Sequence, residues 1–243
     1  MTLAANLARI REKIAEACRR SNRPESEVAL MAVSKNHSAE AVLEAYAAGL
    51  RLFGESRVQE WQQKLPALER IFSATRSESP AQVHLIGPLQ SNKTARAAEL
   101  FHAIDAVDSL KIAARLDAAA RALGKRLPIL IEVKLSDEES KHGVLPAELP
   151  ALLAGLAPLE GLLPAGLMTV PPWSEDPERA RPYFRELRLL RDRSLATCPT
   201  LTQLSMGMSD DFAVAIQEGS TCIRIGTALF GRRLYAAGAL RQG

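Results

Sequence analysis

TQLSMGMSDDFAVAIQEGSTCIRIGTALF, residues 202–230, reads as a strand, a helix and a second strand in close succession. TQLSMGM (202–208) and CIRIGTALF (222–230) are short apolar runs, and DFAVAIQEG between them has helical length and spacing. Gly219 closes that helix, where a left-handed residue is wanted. The same unit recurs toward the N-terminus. Further apolar runs are ALMAVS (29–34), LRLFGE (50–55), VHLIG (83–87), AIDAVD (103–108), PILIEVKL (128–135) and LLPAGLMTV (162–170). Amphipathic helical segments lie between them, among them AEAVLEAYAAG, RVQEWQQKLPALERI and LKIAARLDAAARALG. Gly49 and Gly124 end two of these, and Asp108 and Ser109 precede the last, where a side-chain oxygen can cap free N–H groups. Strands separated by single helices predict parallel pairing with both faces covered. Eight of them fit one closed α/β barrel of the (β/α)8 TIM type. Periodicity alone leaves a doubly wound open sheet as the alternative. Leu3, Leu7, Ile10, Ile14 and Ala17 add an N-terminal amphipathic helix ahead of the first strand.

The 243 residues are 47% hydrophobic and 24% charged, which suits a folded protein with one sizeable core. Barrels of this type often run to about 250 residues as one domain, so a single domain over 1–243 is expected. The net charge of +3, from 31 basic and 28 acidic residues, is too mild to argue for nucleic acid or a membrane surface. Cys18, Cys198 and Cys222 are odd in number and lack metal-ligand spacing, so neither a disulfide framework nor a metal site is expected. Charges at Arg9, Arg11, Glu12, Lys13 and Glu16 break up the first apolar segment, which therefore suits neither a signal peptide nor a span. A cytoplasmic protein is the expectation.

In parallel barrels the reactive groups gather where strands end and loops lead into helices. Lys35 directly follows the apolar run 29–33. A lysine entering the barrel mouth is partly desolvated, which lowers its pKa from about 10.4 and frees an amine to attack a carbonyl. On its own it reads more readily as a solvated strand-end lysine. The loops after the seventh and eighth strands, SMGMSDD and IRIGT, carry Ser205, Ser209 and Thr227 beside Gly207 and Gly226. Hydroxyls and close-approaching backbone N–H groups at that place make a phosphate cup. An amine facing a phosphate cup points to a cofactor bearing both a phosphate and an aldehyde.

The segments MAVSK, FGESRVQE, HLIGPLQSNK, GLMTVPP and LSMGMSDDFAVAIQEGSTCIRIGTALFGRR strongly resemble the pyridoxal phosphate homeostasis proteins, a one-domain relative of the alanine racemase barrel. The likeness runs from about residue 5 to residue 233 with the motifs in family order. It implies pyridoxal 5′-phosphate as the cofactor, held as a Schiff base on Lys35. It implies phosphate ligands at Ser205, Gly226 and Thr227, with Ser209 and Met206 nearby. Arg224 matches the arginine that lies near the pyridine nitrogen in the related racemases; whether it turns to that nitrogen or to the phosphate stays open. The family's usual asparagine is Ser56 here, a shorter donor, for which loss of the contact and a contact through water both stay open. Its HFIG phenylalanine is Leu85. His84 reads either as a buried histidine with one satisfied bond or as a lumen residue beneath the cofactor. His37 reads as solvent-facing, Glu55 and Arg57 as a surface pair or as support for the lysine. The loop SDEESKHG (136–143) receives no role.

Two functions follow from different classes. One is a protein that carries or buffers pyridoxal phosphate without dedicated catalysis, with apo-enzymes that use the cofactor as candidate recipients. The other is an amino-acid racemase, which needs two bases on opposite faces of the substrate. In the related racemases the second base is a tyrosine from a further β-domain of the partner subunit. Tyr46 and Tyr183 fall in predicted helices and Tyr235 in the tail, so the binding function is favoured. With no such domain in the sequence, a monomer is expected.

Overall fold

The hydroxyl of Thr2 accepts from the Ala5 N–H and starts α1 (Leu3–Arg20), whose Leu3, Leu7, Ile10 and Ile14 form one buried stripe, as the spacing requires. Strands and helices then alternate in the computed structural model, which describes residues 2–72, 80–138 and 142–231. The order is β1 (Ala29–Val33), α2 (Ala39–Ala47), β2 (Leu52–Glu55), α3 (Val58–Phe72), β3 (Gln82–Leu85), α4 (Thr94–Leu100), β4 (Ala103–Val107) and α5 (Leu110–Ala122). It continues with β5 (Leu127–Glu132), α6 (Leu149–Leu156), β6 (Leu162–Met168), α7 (Arg181–Ser194), β7 (Gln203–Ser205), α8 (Phe212–Gln217), β8 (Cys222–Ile225) and α9 (Thr227–Phe230). Every strand pairs in parallel with its sequence neighbour, and β8 returns to β1 with Ala29 opposite Cys222 and Ala32 opposite Ile225. The sheet is a closed barrel, and the open-sheet alternative is excluded. The run CIRIGTALF is not one strand: its last four residues are α9, because Gly226 ends the pairing.

The strand side chains alternate between two environments. Ile223 and Ile225, Ile129 and Ile131, and Val83 and Leu85 join the large apolar layer between sheet and helices. The intervening positions face the lumen, where a small cluster of Ala106, Leu130, Ala165 and Met168 is separate from that layer. The lumen also takes the polar residues: Asp105, Glu132, Ser205 and Arg224 are all buried. Gly166 in β6 is required by close approach, since a Cβ there would stand 2.2 Å from the Gln203 carbonyl oxygen of the paired strand. Outside the barrel α1 packs on α8 and α9, and the Asn6 amide donates to the Leu229 carbonyl at 2.9 Å.

Glu218, at the end of α8, is clasped by Arg181 (2.8 Å), Arg185 (3.1 Å) and Arg188 (3.6 Å), which ties α7 to α8. Burial alone would raise its carboxyl, but the bonds from Arg185 and Arg181 outweigh burial and hold it below the ordinary value. Glu218→Gln is expected to cost about 1–2 kcal/mol at pH 7, charged hydrogen bonds being discounted for the exposed arginines. A carboxyl lowered in the folded state contributes stability above its unfolded value and loses it as pH falls through the folded one. Urea melts of variant and parent should therefore diverge at neutral pH and converge in acid. An undiminished gap in acid would refute the assignment.

Candidate functional site

At the C-terminal end of β1 the chain turns sharply. The His37 N–H donates to the Ser34 carbonyl at 3.0 Å, and Asn36 takes a left-handed φ of 61°. Lys35, half-buried between them, reaches a cavity of about 260 Å³. The closed register brings the end of β8 beside the end of β1, so Arg224, Gly226 and Thr227 line the same cavity. Ser209, from the loop after β7, lines it too, and its hydroxyl accepts from the Ala228 N–H at 3.2 Å. Val33, Ile86, Val170 and Met208 supply apolar wall between these groups. Gly207 allows the loop after β7 its tight path: φ is 96°, and a Cβ would stand 2.6 Å from that of Ala215.

Arg224 is buried at the base of the cavity. Its guanidinium donates to the Ser205 carbonyl (2.6 Å), the Ser205 hydroxyl (2.7 Å) and the Thr169 carbonyl (2.8 Å). Burial pulls its pKa down, opposed by the acids Asp105 and Glu132 of the lumen and by Asp211 of the loop after β7. Burial likewise pushes the Cys222 thiol up to about 12, so it stays protonated at neutral pH. His84 holds Nδ1 3.1 Å from Asp105, one strand away.

Of the nine residues singled out in the sequence, Lys35, Ser209, Arg224, Gly226 and Thr227 share this cavity. Ser205 does not line it; fully buried, it is engaged by Arg224. Met206 packs in the layer between sheet and helices, because strand alternation turns it away from Ser205. His84 sits in the lumen wall against Asp105, and Ser56 lines a neighbouring cavity of about 690 Å³ with Arg57, Lys93 and His142. Two expectations are corrected. His37 is not simply solvent-facing: the turn at Asn36 folds it back to line the cavity, stacked on Phe230 with centroids 4.6 Å apart. Glu55 is not a surface partner of Arg57; it is fully buried and pairs with Lys64 at 2.8 Å. Sequence reasoning missed Lys64, which lies on the helix that follows the Glu55 motif, and it gave Thr169 and Val170, at the end of the sixth strand, no role. Residues 139–141 of the SDEESKHG loop and Tyr235 lie outside the described residues.

Among the described residues no group of three or more histidines, cysteines or acids could hold a metal ion, and no helix is long and apolar enough to cross a membrane. What the barrel mouth does offer is a primary amine, two hydroxyls and a guanidinium around one small, partly apolar cavity. That donor set fits a small aldehyde-bearing phosphate ester, and the volume lies near the lower end of ligand pockets, about 300–1,000 Å³.

The alanine racemase N-terminal domain family matches residues 5–233. An alanine racemase structure from Clostridium difficile shares the barrel, with a TM-score of 0.70 at 13% identity over 97% of this chain and 57% of its own, which speaks to the fold alone. Fold and match define the class: a racemase-type (β/α)8 barrel. The pyridoxal phosphate homeostasis protein of Pseudomonas aeruginosa is 44% identical over 98% of this chain and 99% of its own length. That of Escherichia coli K12 is 41% identical over 96% and 98%. PipY of Synechococcus elongatus, solved with pyridoxal phosphate bound, superposes with a TM-score of 0.81 at 40% identity, over 95% of this chain and all of that one. The chain belongs to the pyridoxal phosphate homeostasis protein family.

Proposed function

We propose that this protein binds pyridoxal 5′-phosphate in the cavity at the mouth of the barrel and serves to carry or buffer the cofactor. One observation carries the reading: a half-buried lysine and the donor group of Ser209, Gly226 and Thr227 line a single cavity of about 260 Å³. In this reading Lys35 supplies the amine. Its neutral form adds to the aldehyde carbon, C=N replaces C=O, and one water leaves with the carbonyl oxygen and both amine protons, giving a Schiff base. Ser209 and Thr227 bind the phosphate with the Gly226 backbone. Arg224 is tied down by Ser205 and Thr169 and presents a fixed positive charge at the cavity base. His84, Ser205 and Met206 act behind the cavity wall, and Ser56 borders the site from the neighbouring cavity.

Mass spectrometry of borohydride-reduced protein tests this reading, because it gives both the mass of the adduct and the residue carrying it. An adduct on Lys35 is expected; a cofactor mass elsewhere, or none, would overturn it. Ser209→Ala and Thr227→Ala should each weaken cofactor retention about tenfold, the value of one charge-assisted hydrogen bond. Equilibrium dialysis measures this, and undiminished affinity would place the phosphate elsewhere.

A carrier, rather than a racemase, is further supported by the tyrosines. Among the described residues, Tyr46 lies in α2 and Tyr183 in α7, and neither lines the cavity. Chiral analysis after incubation with L- and D-alanine separates the two functions, appreciable turnover favouring the racemase. The reading extends to one domain over residues 1–243, working in the cytoplasm as a monomer that passes its cofactor to apo-enzymes. Sedimentation of loaded protein and transfer assays with a purified apo-enzyme test those parts.

A further inference from the structure

The cavity does not explain a second, nearly dry cluster beside β1. The Lys64 ammonium, on a side chain only 10% exposed, donates to the Ser34 carbonyl (2.9 Å), Glu55 Oε1 (2.8 Å) and Glu60 Oε1 (2.7 Å). Those three bonds use its full complement of donors. Glu55 Oε1 also accepts from the Ser34 hydroxyl at 2.8 Å, and Glu60 Oε1 accepts from the Asn36 N–H. Residues 34 and 36, on either side of Lys35, are thus tied to one cation: the first directly and through Glu55, the second through Glu60.

Stability is a weak reason for such a cluster, because apolar residues of similar volume often serve a buried site as well as an ion pair does. Burial pushes the Glu55 carboxyl up, against the pull of Lys64 and Ser34, and Glu55 Oε2 is buried without a hydrogen bond. A buried oxygen left in that state calls for an explanation other than packing. Its geometric consequence is plain: the left-handed turn at Asn36 is held from both sides, and Lys35 leaves the strand in one direction.

We propose that Lys64 is a positioning residue for Lys35, acting through Glu55 and Glu60 to hold the turn from which the cofactor-bonding amine projects. This deepens the function proposed above and rests on Lys35 being that amine. The first arm is therefore the unmutated protein, where loss of the Lys35 adduct would sink the parent reading itself. With that adduct established, stopped-flow mixing of cofactor-free protein with pyridoxal 5′-phosphate reads the rate of covalent bonding from the visible absorbance. Dialysis reads total bound cofactor.

Lys64→Met should slow bonding about tenfold and lower the covalent fraction of the bound cofactor, as small displacements of reacting groups do. Lys64→Arg should recover part of the rate. A purely structural role would lower the melting temperature yet leave the rate and covalent fraction of the folded variant unchanged, and that result overturns the proposal. Should Lys64→Met fail to fold, Glu60→Ala decides the matter, since the Glu60 side chain is 20% exposed and its loss is tolerable. An unchanged bonding rate in Glu60→Ala would then overturn the proposal, and a slower rate at unchanged melting temperature would support it.

Discussion

Lys35→Ala protein, incubated with pyridoxal 5′-phosphate and reduced with borohydride, is expected to carry no adduct in the barrel and to lose the yellow colour of the parent. The reason is positional. Lys35 lines the cavity that also holds Ser209 and Thr227. Lys64, the other lysine near the turn, spends its ammonium on three acceptors and does not line the cavity. Noncovalent retention of the cofactor should survive in part, because the phosphate donors are untouched. Peptide mapping checks the outcome, and an adduct of undiminished yield in the variant would refute the Lys35 assignment.

The second large effect concerns stability. Arg224→Met should lower the unfolding free energy by about 3–5 kcal/mol, the usual cost of removing one partner from a buried charged network. The methionine fills much of the space but leaves the Thr169 carbonyl without its donor and the Ser205 carbonyl with the Thr169 N–H alone. It also leaves Asp105 and Glu132 in the lumen, and Asp211 in the loop after β7, without the nearby cation. Burial already raises the Asp211 carboxyl, and loss of Arg224 removes one of the effects holding it down. A carboxyl raised in the folded state makes folding less favourable as pH rises through the interval between its unfolded and folded values. The deficit of Arg224→Met should therefore be largest near neutrality and shrink toward pH 4. Urea titrations at several pH values measure it, and a pH-independent deficit would show that the Asp211 carboxyl does not depend on Arg224.

Both variants act on residues that the bare sequence already marked, but for reasons that differ in kind. Lys35 was legible because a strand end is a local feature: five apolar residues followed by a lysine place it at the barrel mouth. The eight strands and the helices between them were legible for the same reason. Periods of two and 3.6 residues, caps such as Ser109 and helix-ending glycines such as Gly49 (φ 94°) and Gly219 (φ 101°) are all written within a few residues. Family motifs in order supplied the cofactor.

What tertiary structure alone decided is which polar groups meet. Ser205 and Ser209 look alike in the sequence. Strand alternation and the 19-residue step to Arg224 make the first a buried brace for the guanidinium, and the second opens onto the cavity. Lys64 stands 30 residues from the Ser34 carbonyl it holds, with no period or motif linking them. Only the parallel pairing of β2 with β1, with α3 following β2, brings that ammonium to the turn. The seat of Lys35 was thus local knowledge. Its surroundings, a clamp on one side and a guanidinium-based cavity on the other, arise from contacts between distant residues, which no short-range pattern encodes.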